Sequence, residues 1–155
     1  MPKKSLLIVY HSKSGSTERM AQAVIEGAVS IDSDSVAINA KSAFQANADD
    51  LLIANALILG TPENFGYMSG ALKDFFDRTF YEVEGKLSPL PYAVFIKAST
   101  DGTGALTAIQ RIARGYPFVE SQEALVVKGD LTDKHLEKCR ELGLTFAAGL
   151  DLGIY

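Results

Sequence analysis

The sequence predicts an α/β fold, a doubly wound, five-stranded parallel sheet with helices on both faces. Short apolar runs alternate along the chain with longer segments that have helical periodicity, as in β-α-β units. Most of these apolar runs are nearly continuous, which is typical of strands buried on both sides. Five strands are too few to close an eight-stranded barrel, so an open sheet is favoured.

Length and composition agree with a single domain, 1–155, and exclude several classes of protein. The chain has 155 residues, of which 47% are apolar and 22% charged, a profile typical of globular domains. A formal net charge of −4 without a basic run predicts no nucleic-acid partner. The apolar run from Leu6 to Tyr10 is too short for a signal peptide, and no run reaches the roughly 20 residues of a membrane span. We therefore expect a cytoplasmic protein without a membrane span.

Five strands are predicted from the apolar runs, at 6–10, 35–40, 56–59, 92–97 and 124–127. The second is the weakest, with Val36 and Ile38 on one face. Gly60-Thr61-Pro62 ends the third, because glycine and proline interrupt regular structure.

Five helices are predicted between the strands, at 17–29, 48–54, 69–80, 104–114 and 132–150. Ser69 is a suitable N-cap for the third, and Gly115 ends the fourth. The last helix carries an apolar stripe formed by Leu136, Cys139, Leu142, Phe146 and Leu150.

The loop after the first strand has the composition of an anion site. Its sequence is His11-Ser12-Lys13-Ser14-Gly15-Ser16-Thr17, with four hydroxyl side chains just before a helix N-terminus. Free N–H groups and the helix dipole favour an anion there. Capping alone explains one hydroxyl but not four. The loop lacks the Walker lysine and has one glycine, so a bound phosphomonoester is favoured over phosphoryl transfer or a dinucleotide.

The loop after the third strand has the composition of a site for a flat ring. Phe65, Tyr67 and Met68 lie on a segment that should be exposed, where they suit stacking. Thr61 and Asn64 can form hydrogen bonds with polar ring edges. The alternative is that the aromatic side chains fold back onto the core.

The loop after the fourth strand, Ala98-Ser99-Thr100-Asp101-Gly102-Thr103-Gly104, has two glycines and several hydroxyls. These residues allow a ligand to approach the backbone closely. An ordinary turn followed by an N-cap explains the loop almost equally well when it is considered alone.

Together the loops resemble those of a known family. The pattern Ser12-x-Ser14-Gly15-x-Thr17 resembles the phosphate loop of flavodoxins. Segment 61–77, Thr-Pro-Glu-Asn-Phe-Gly-Tyr-Met-Ser-Gly-Ala-Leu-Lys-Asp-Phe-Phe-Asp, resembles the flavin loop and following helix of flavodoxin-like NAD(P)H:quinone oxidoreductases and FMN reductases. The resemblance covers essentially the whole chain and implies strand order 2-1-3-4-5.

The resemblance also implies a non-covalently bound FMN. The residues implied to hold its phosphate are Ser12, Lys13, Ser14, Gly15, Ser16 and Thr17. Those implied to line the isoalloxazine ring are Thr61, Pro62, Glu63, Asn64, Phe65, Gly66 and Tyr67. The other side of the ring would be closed by Ser99, Thr100, Asp101, Gly102 and Gly104.

The resemblance implies an FMN-dependent oxidoreductase that takes a hydride from NAD(P)H and passes electrons to a quinone or similar acceptor. The alternatives are an electron carrier that docks with redox proteins and a flavin-free signalling or scaffold role. Carrier flavodoxins resemble one another in a strongly acidic surface around the flavin. The net charge of −4, with Glu63 as the one acid of the second loop, favours the enzyme.

Other residues are given ordinary structural interpretations. His11 is more typical of a turn residue than of a catalytic group, and Cys139 of a small buried hydrophobe. One cysteine and two distant histidines make no metal site. An apolar patch for a homodimer could be formed by Phe75, Phe76, Phe80 and Tyr81, although packing of the helix on the sheet explains most of them equally well.

Overall fold

The computed structural model describes residues 3–12 and 15–155. Within them lie six strands: β1 (Lys4–Tyr10), β2 (Val36–Ser42), β3 (Ala56–Pro62), β4 (Leu90–Lys97), β5 (Phe118–Glu120) and β6 (Leu125–Val127). The helices are α1 (Gly15–Val29), α2 (Ala48–Ile53), α3 (Gly70–Val83), α4 (Thr103–Gly115) and α5 (Asp133–Asp151). All strand pairs are parallel, in the order β2-β1-β3-β4-β5, with β6 also paired to β4. The predicted fold class and strand order are therefore confirmed.

The fifth position of the sheet is occupied by two short strands instead of the single predicted one. β5 pairs with the first part of β4, and β6 pairs with its last part. Between these pairings, residues 121–124 lie opposite only residues 93–94 of β4. Such an irregularity interrupts the ladder at a sheet edge. β5 has no apolar pattern to predict it, because two of its three residues, Val119 and Glu120, are exposed.

Helices cover both faces of the sheet, which explains the continuous apolar strands. On one face, alternate strand residues such as Leu7 and Leu59 pack with α2, α3 and α4. On the other face, Leu6 and Ile58 pack with α1 and α5. Among the described residues, no helix is long and apolar enough to cross a bilayer.

Helices α1 and α5 contact each other through their backbones. A Cβ added at Gly27 of α1 would overlap the carbonyl oxygen of Arg140, and one added at Gly143 of α5 would overlap that of Val24. Glycine is required at both crossing points, because a larger residue would push the helices apart. Since α1 begins at the edge of the sheet where the candidate loops lie, this packing determines where its N-terminus lies.

Helix α3 begins at the predicted cap and distributes its aromatic residues between core and surface. The Ser69 hydroxyl accepts a hydrogen bond from the Leu72 N–H at 3.2 Å, which confirms the predicted N-cap. Phe75 and Phe76 are buried in the core, whereas Tyr81 is 82% exposed. Helix–sheet packing thus explains the first two, and the proposed homodimer patch is reduced to Tyr81 and the half-buried Phe80.

Candidate functional site

The three candidate loops follow neighbouring strands at the edge where the strand order reverses. From β1 the chain goes first to β2 on one side and then to β3 on the other. Tyr10 at the end of β1 lies opposite Gly60 of β3, which lies opposite Phe95 of β4. The His11 N–H donates to the Gly60 carbonyl oxygen at 3.1 Å, so the first two loops leave the sheet side by side. This is the position where open α/β sheets bind ligands.

The first loop ends in the N-terminus of α1, which begins at Gly15. Gly15 is exposed, and a Cβ added to it would meet no atom of the described residues within 4 Å, its chain neighbours apart. Ser16 is partly exposed, and Thr17 is buried. The first N–H groups of a helix have no partner within the helix and attract anions. Lys13 and Ser14 lie outside the described residues, so their predicted part in this site stays a prediction.

Glu18, which sequence reasoning missed, lies in the first turn of α1 beside the predicted phosphate loop. The Ser12 hydroxyl donates to its Oε2 at 2.7 Å, and Gln22 Nε2 donates to its Oε1 at 3.2 Å. A carboxylate in this turn complements the helix dipole. Glu18 therefore holds Ser12 at the base of the helix. The pKa of Tyr10 is raised mainly by burial and, to a smaller extent, by the charge of Glu18.

The base of the second loop is held by a buried hydroxyl. Thr61 Oγ1 accepts from the Ser69 N–H at 2.9 Å and donates to the Pro62 carbonyl oxygen at 2.8 Å. The Thr61 side chain is fully buried, so in this arrangement it joins the end of β3 to the start of α3. It supports the loop from inside instead of lining the open surface, where the sequence interpretation placed it.

The tip of the second loop is a tight turn that exposes aromatic side chains. Asn64 and Tyr67 exchange backbone hydrogen bonds of 2.8 and 3.0 Å. Between them Phe65 has a φ of 53° and Gly66 a φ of 72°, as in a type I′ turn. A bulky residue such as Phe65 rarely adopts a positive φ. Phe65 is fully exposed and Tyr67 39% exposed, whereas Met68 folds back onto the core.

Glu63 joins the second loop to the third. It is only 4% exposed, and its Oε1 accepts from the N–H groups of Ser99 at 2.9 Å and Thr100 at 2.7 Å. Oε2 accepts from the Thr100 hydroxyl at 2.8 Å. The Ser99 hydroxyl has one proton, which lies between the Glu63 carbonyl oxygen at 3.1 Å and Oε1 at 3.3 Å. The predicted ring-lining carboxylate is thus directed into the neighbouring loop.

The protonation of Glu63 follows from these contacts. The Thr100 backbone N–H, followed by the other donors, lowers the pKa of the carboxyl although burial opposes the shift. A lowered pKa in the folded state means that the ionised form adds stability at neutral pH. That stability is lost as the pH falls through the lowered pKa.

The glycines of the third loop lie against other parts of the protein. Gly102 has a φ of 77° and precedes α4, and Asp101 Oδ1 accepts from the Thr103 N–H at 2.9 Å. A Cβ added at Gly104 would overlap the carbonyl oxygen of Gly66. The close approach predicted for a ligand is therefore used here by the tip of the second loop.

Phe44 is an aromatic side chain at this edge that sequence reasoning missed. It follows β2, is 67% exposed, and its ring lies edge-on to His11 with centroids 5.3 Å apart. A single aromatic residue in a turn gives no periodic signal. Its place just after the carboxyl end of a strand was the observation that could have found it.

Other reactive groups do not contribute to this site. Cys139 is fully buried, and burial raises the pKa of its thiol to about 11, so it stays a neutral thiol. Across residues 3–12 and 15–155, no group of three or more histidine, cysteine, aspartate or glutamate side chains is placed to hold a metal ion.

Two known proteins are similar in sequence to this chain over most of its length. Over 92% of its length, and 84% of the other chain, the protein is 27% identical to a flavodoxin of Aquifex aeolicus. It is 33% identical to an NAD(P)H dehydrogenase (quinone) of Acidithiobacillus ferrooxidans, over 79% of this chain and 69% of that one.

Two solved structures have the same fold as this chain. A flavodoxin from the domain Archaea superposes with a TM-score of 0.81 at 26% identity, covering 95% of this chain and 99% of the other. A WrbA-like flavodoxin from Agrobacterium tumefaciens has a TM-score of 0.77 and covers 97% and 99% of the two chains; at 23% identity it shows the shared fold. The family model for flavodoxin matches residues 8–143. The chain therefore belongs to the flavodoxin family.

Proposed function

We propose that this protein binds FMN and passes electrons from NAD(P)H to a quinone or similar acceptor. The observation that carries the proposal is the combination found where the strand order reverses. There the N-terminus of α1 lies at the same edge of the sheet as a hydrogen-bonded loop that exposes Phe65 and Tyr67. A helix N-terminus suits a phosphomonoester, and exposed rings suit a flat heterocycle.

The donors on this edge fit the phosphate of FMN. The N–H groups of Gly15, Ser16 and Thr17 and the Ser16 hydroxyl are all donors, as phosphate oxygens require. The open space beside Gly15 leaves room for the ligand. The Ser12 hydroxyl has one proton, which Glu18 accepts, so Ser12 can donate to a phosphate only by giving up that bond.

Bound FMN supplies the hydride and electron chemistry, and the residues of this chain bind and orient it. Phe65 and Tyr67 would stack near the ring, and Asn64 and Pro62 would lie beside it. Thr61 holds the loop from below. We assign no side chain as a general acid or base.

The distribution of negative charge around the candidate loops favours an enzyme over an electron carrier. In the described parts of the three loops, 11–12, 15–17, 60–70 and 98–104, the carboxylates are Glu63 and Asp101. Glu63 is buried, so within these ranges Asp101 adds negative charge to the surface, and the partly exposed Glu18 adds one more charge just beside the first loop. A carrier that relies on an acidic collar would need more exposed charge. The second candidate, an electron carrier, is favoured by the long match to the Aquifex flavodoxin.

An anaerobic absorbance experiment tests the proposal. We expect purified protein to carry FMN or to bind it in titration, NADPH to bleach the flavin band, and a quinone to restore it over repeated cycles. Protein that binds no FMN would overturn the proposal. Protein that binds FMN and is reduced by dithionite but not by NADPH or NADH would be a carrier.

Phe65→Asn is expected to stabilise the protein while weakening flavin binding. Asparagine tolerates a positive φ, so the flavin-free protein should gain about 1 kcal/mol in its free energy of unfolding, measured with urea. Loss of the aromatic ring should lower the affinity for FMN about fivefold. Tyr81→Gln, which removes an exposed ring from α3, is the control and should leave FMN affinity unchanged. Unchanged affinity in Phe65→Asn would show that the flavin does not stack there.

A further inference from the structure

Two carboxylates are buried among the described residues, and only one of them has a cation. Asp50 receives Lys41 Nζ at 2.8 Å, Asn39 Nδ2 at 3.1 Å and the Asn47 N–H at 2.9 Å. These contacts explain it as the N3 residue of the capping box of α2, whose N-cap is Asn47, with a nearby lysine. Glu63 forms no ion pair within the part of the chain that the structure describes.

The charge of Glu63 is instead satisfied by neighbouring residues of another loop. Its donors are the N–H and hydroxyl groups of Ser99 and Thr100, together with the Gly102 N–H, and all of them belong to the loop after β4. A buried carboxylate is costly unless hydrogen bonds replace the water it has lost. Separating the two loops would leave both the carboxylate and the two N–H groups without these partners. The contact therefore favours one fixed spacing between the loops.

A second contact lies at the other end of the same pair of loops. The Gly66 carbonyl oxygen lies against Gly104 at the start of α4. Phe65, held at a positive φ, stands between the Glu63 contact and this one. The exposed aromatic turn is thus held at its base by Glu63 and at its tip by Gly104.

From this arrangement we infer that Glu63 is a positioning residue, which holds the aromatic turn and the loop after β4 at the spacing that the flavin ring requires. The inference rests on the proposed FMN function. Glu63 need not touch the ring. Its carboxylate keeps both loops ordered before the ligand arrives, and this lowers the entropy that binding must remove.

The test compares Glu63→Ala and Glu63→Gln with Asp50→Asn. In Glu63→Ala, we expect the affinity for both FMN and riboflavin to fall at least tenfold, since ordering the loops affects the ring that both ligands share. The amides of Ser99 and Thr100 should exchange faster with deuterium in the flavin-free protein. Glu63→Gln keeps one oxygen for the two N–H groups and should lose only about threefold in affinity.

Asp50→Asn is the matched control, because it replaces the other buried carboxylate, which also accepts several hydrogen bonds, by a neutral amide. It should lower the melting temperature while leaving the affinity for both flavins within about twofold. If it weakens flavin as much as the Glu63 variants do at equal loss of stability, Glu63 has only a general structural role and the inference is wrong.

The outcomes separate this inference from the proposed function. Wild-type protein that binds no flavin would overturn both. Wild-type protein that binds flavin, together with Glu63 variants that bind it equally well, would overturn the positioning role alone. Should Glu63→Ala fail to fold, Glu63→Gln decides: a partial loss shared by FMN and riboflavin supports the role, and no loss overturns it.

Discussion

Gly15→Glu is expected to lower the affinity for FMN about 30-fold, which corresponds to about 2 kcal/mol of binding free energy. The affinity for riboflavin should stay within about twofold of the wild-type value. The new carboxylate would lie in the first turn of α1, where the phosphate is proposed to bind, and would repel its negative charge. The position can accept the side chain, because a Cβ at Gly15 meets no atom within 4 Å in the part of the chain that the structure describes. Fluorescence titration with the two flavins measures the difference.

Gly15→Gln separates charge from size in this experiment. Glutamine is nearly the same size as glutamate but neutral, and we expect the Gly15→Gln protein to retain most of the FMN affinity. The flavin-free Gly15→Glu protein should be slightly more stable than the glutamine variant, because a carboxylate complements the N-terminal end of the helix dipole. A loss shared equally by FMN and riboflavin would show that the phosphate binds elsewhere.

Gly143→Ala is expected to lower the free energy of unfolding by about 2 kcal/mol. The added methyl group would overlap the Val24 carbonyl oxygen, so α5 must move away from α1 along much of their shared face. Because the overlap is with backbone, we take the upper end of the about 1–3 kcal/mol that overpacking costs, and the higher helix propensity of alanine offsets up to ~1 kcal/mol of it. Urea unfolding of the flavin-free protein measures the loss.

Gly115→Ala provides the control for helix propensity alone. Gly115 is the exposed last residue of α4, and a Cβ there would meet no atom within 4 Å. We expect a change within about 0.5 kcal/mol. If Gly143→Ala is as stable as this control, the helices are not held in backbone contact, and α5 does not determine the position of α1.

Periodicity predicted the regular elements because each buries a face that repeats along a short segment. The strand at 6–10 and the stripe through Phe146 both appear in the structure, since their pattern depends on neighbours in sequence. β5 could not be predicted this way. It has three residues, only Phe118 is buried, and its pairing partners at Leu90–Tyr92 lie far away in sequence.

The direction of individual side chains in the candidate site was harder to predict than the site itself. Thr61 was expected at the ring because its hydroxyl can form hydrogen bonds with a ring edge, and the family resemblance implied that both Thr61 and Glu63 line the ring. Both turn inward, because their hydrogen-bond partners, Ser99 and Thr100 for Glu63 and Ser69 for Thr61, become available only when the loops are packed together. A buried polar group requires such partners, and local sequence does not contain them.

The sequence by itself determined that this is a doubly wound α/β chain with its candidate site at the carboxyl ends of three strands. Hydrophobic burial depends on repeating local patterns, which the amino-acid order records directly. Only the tertiary structure decided that Glu63 ties two loops together, that Phe65 stands exposed in a strained turn, and that glycines bring α1 and α5 into contact. These features depend on hydrogen bonds and close approaches between distant segments, whose positions are set by the folded chain.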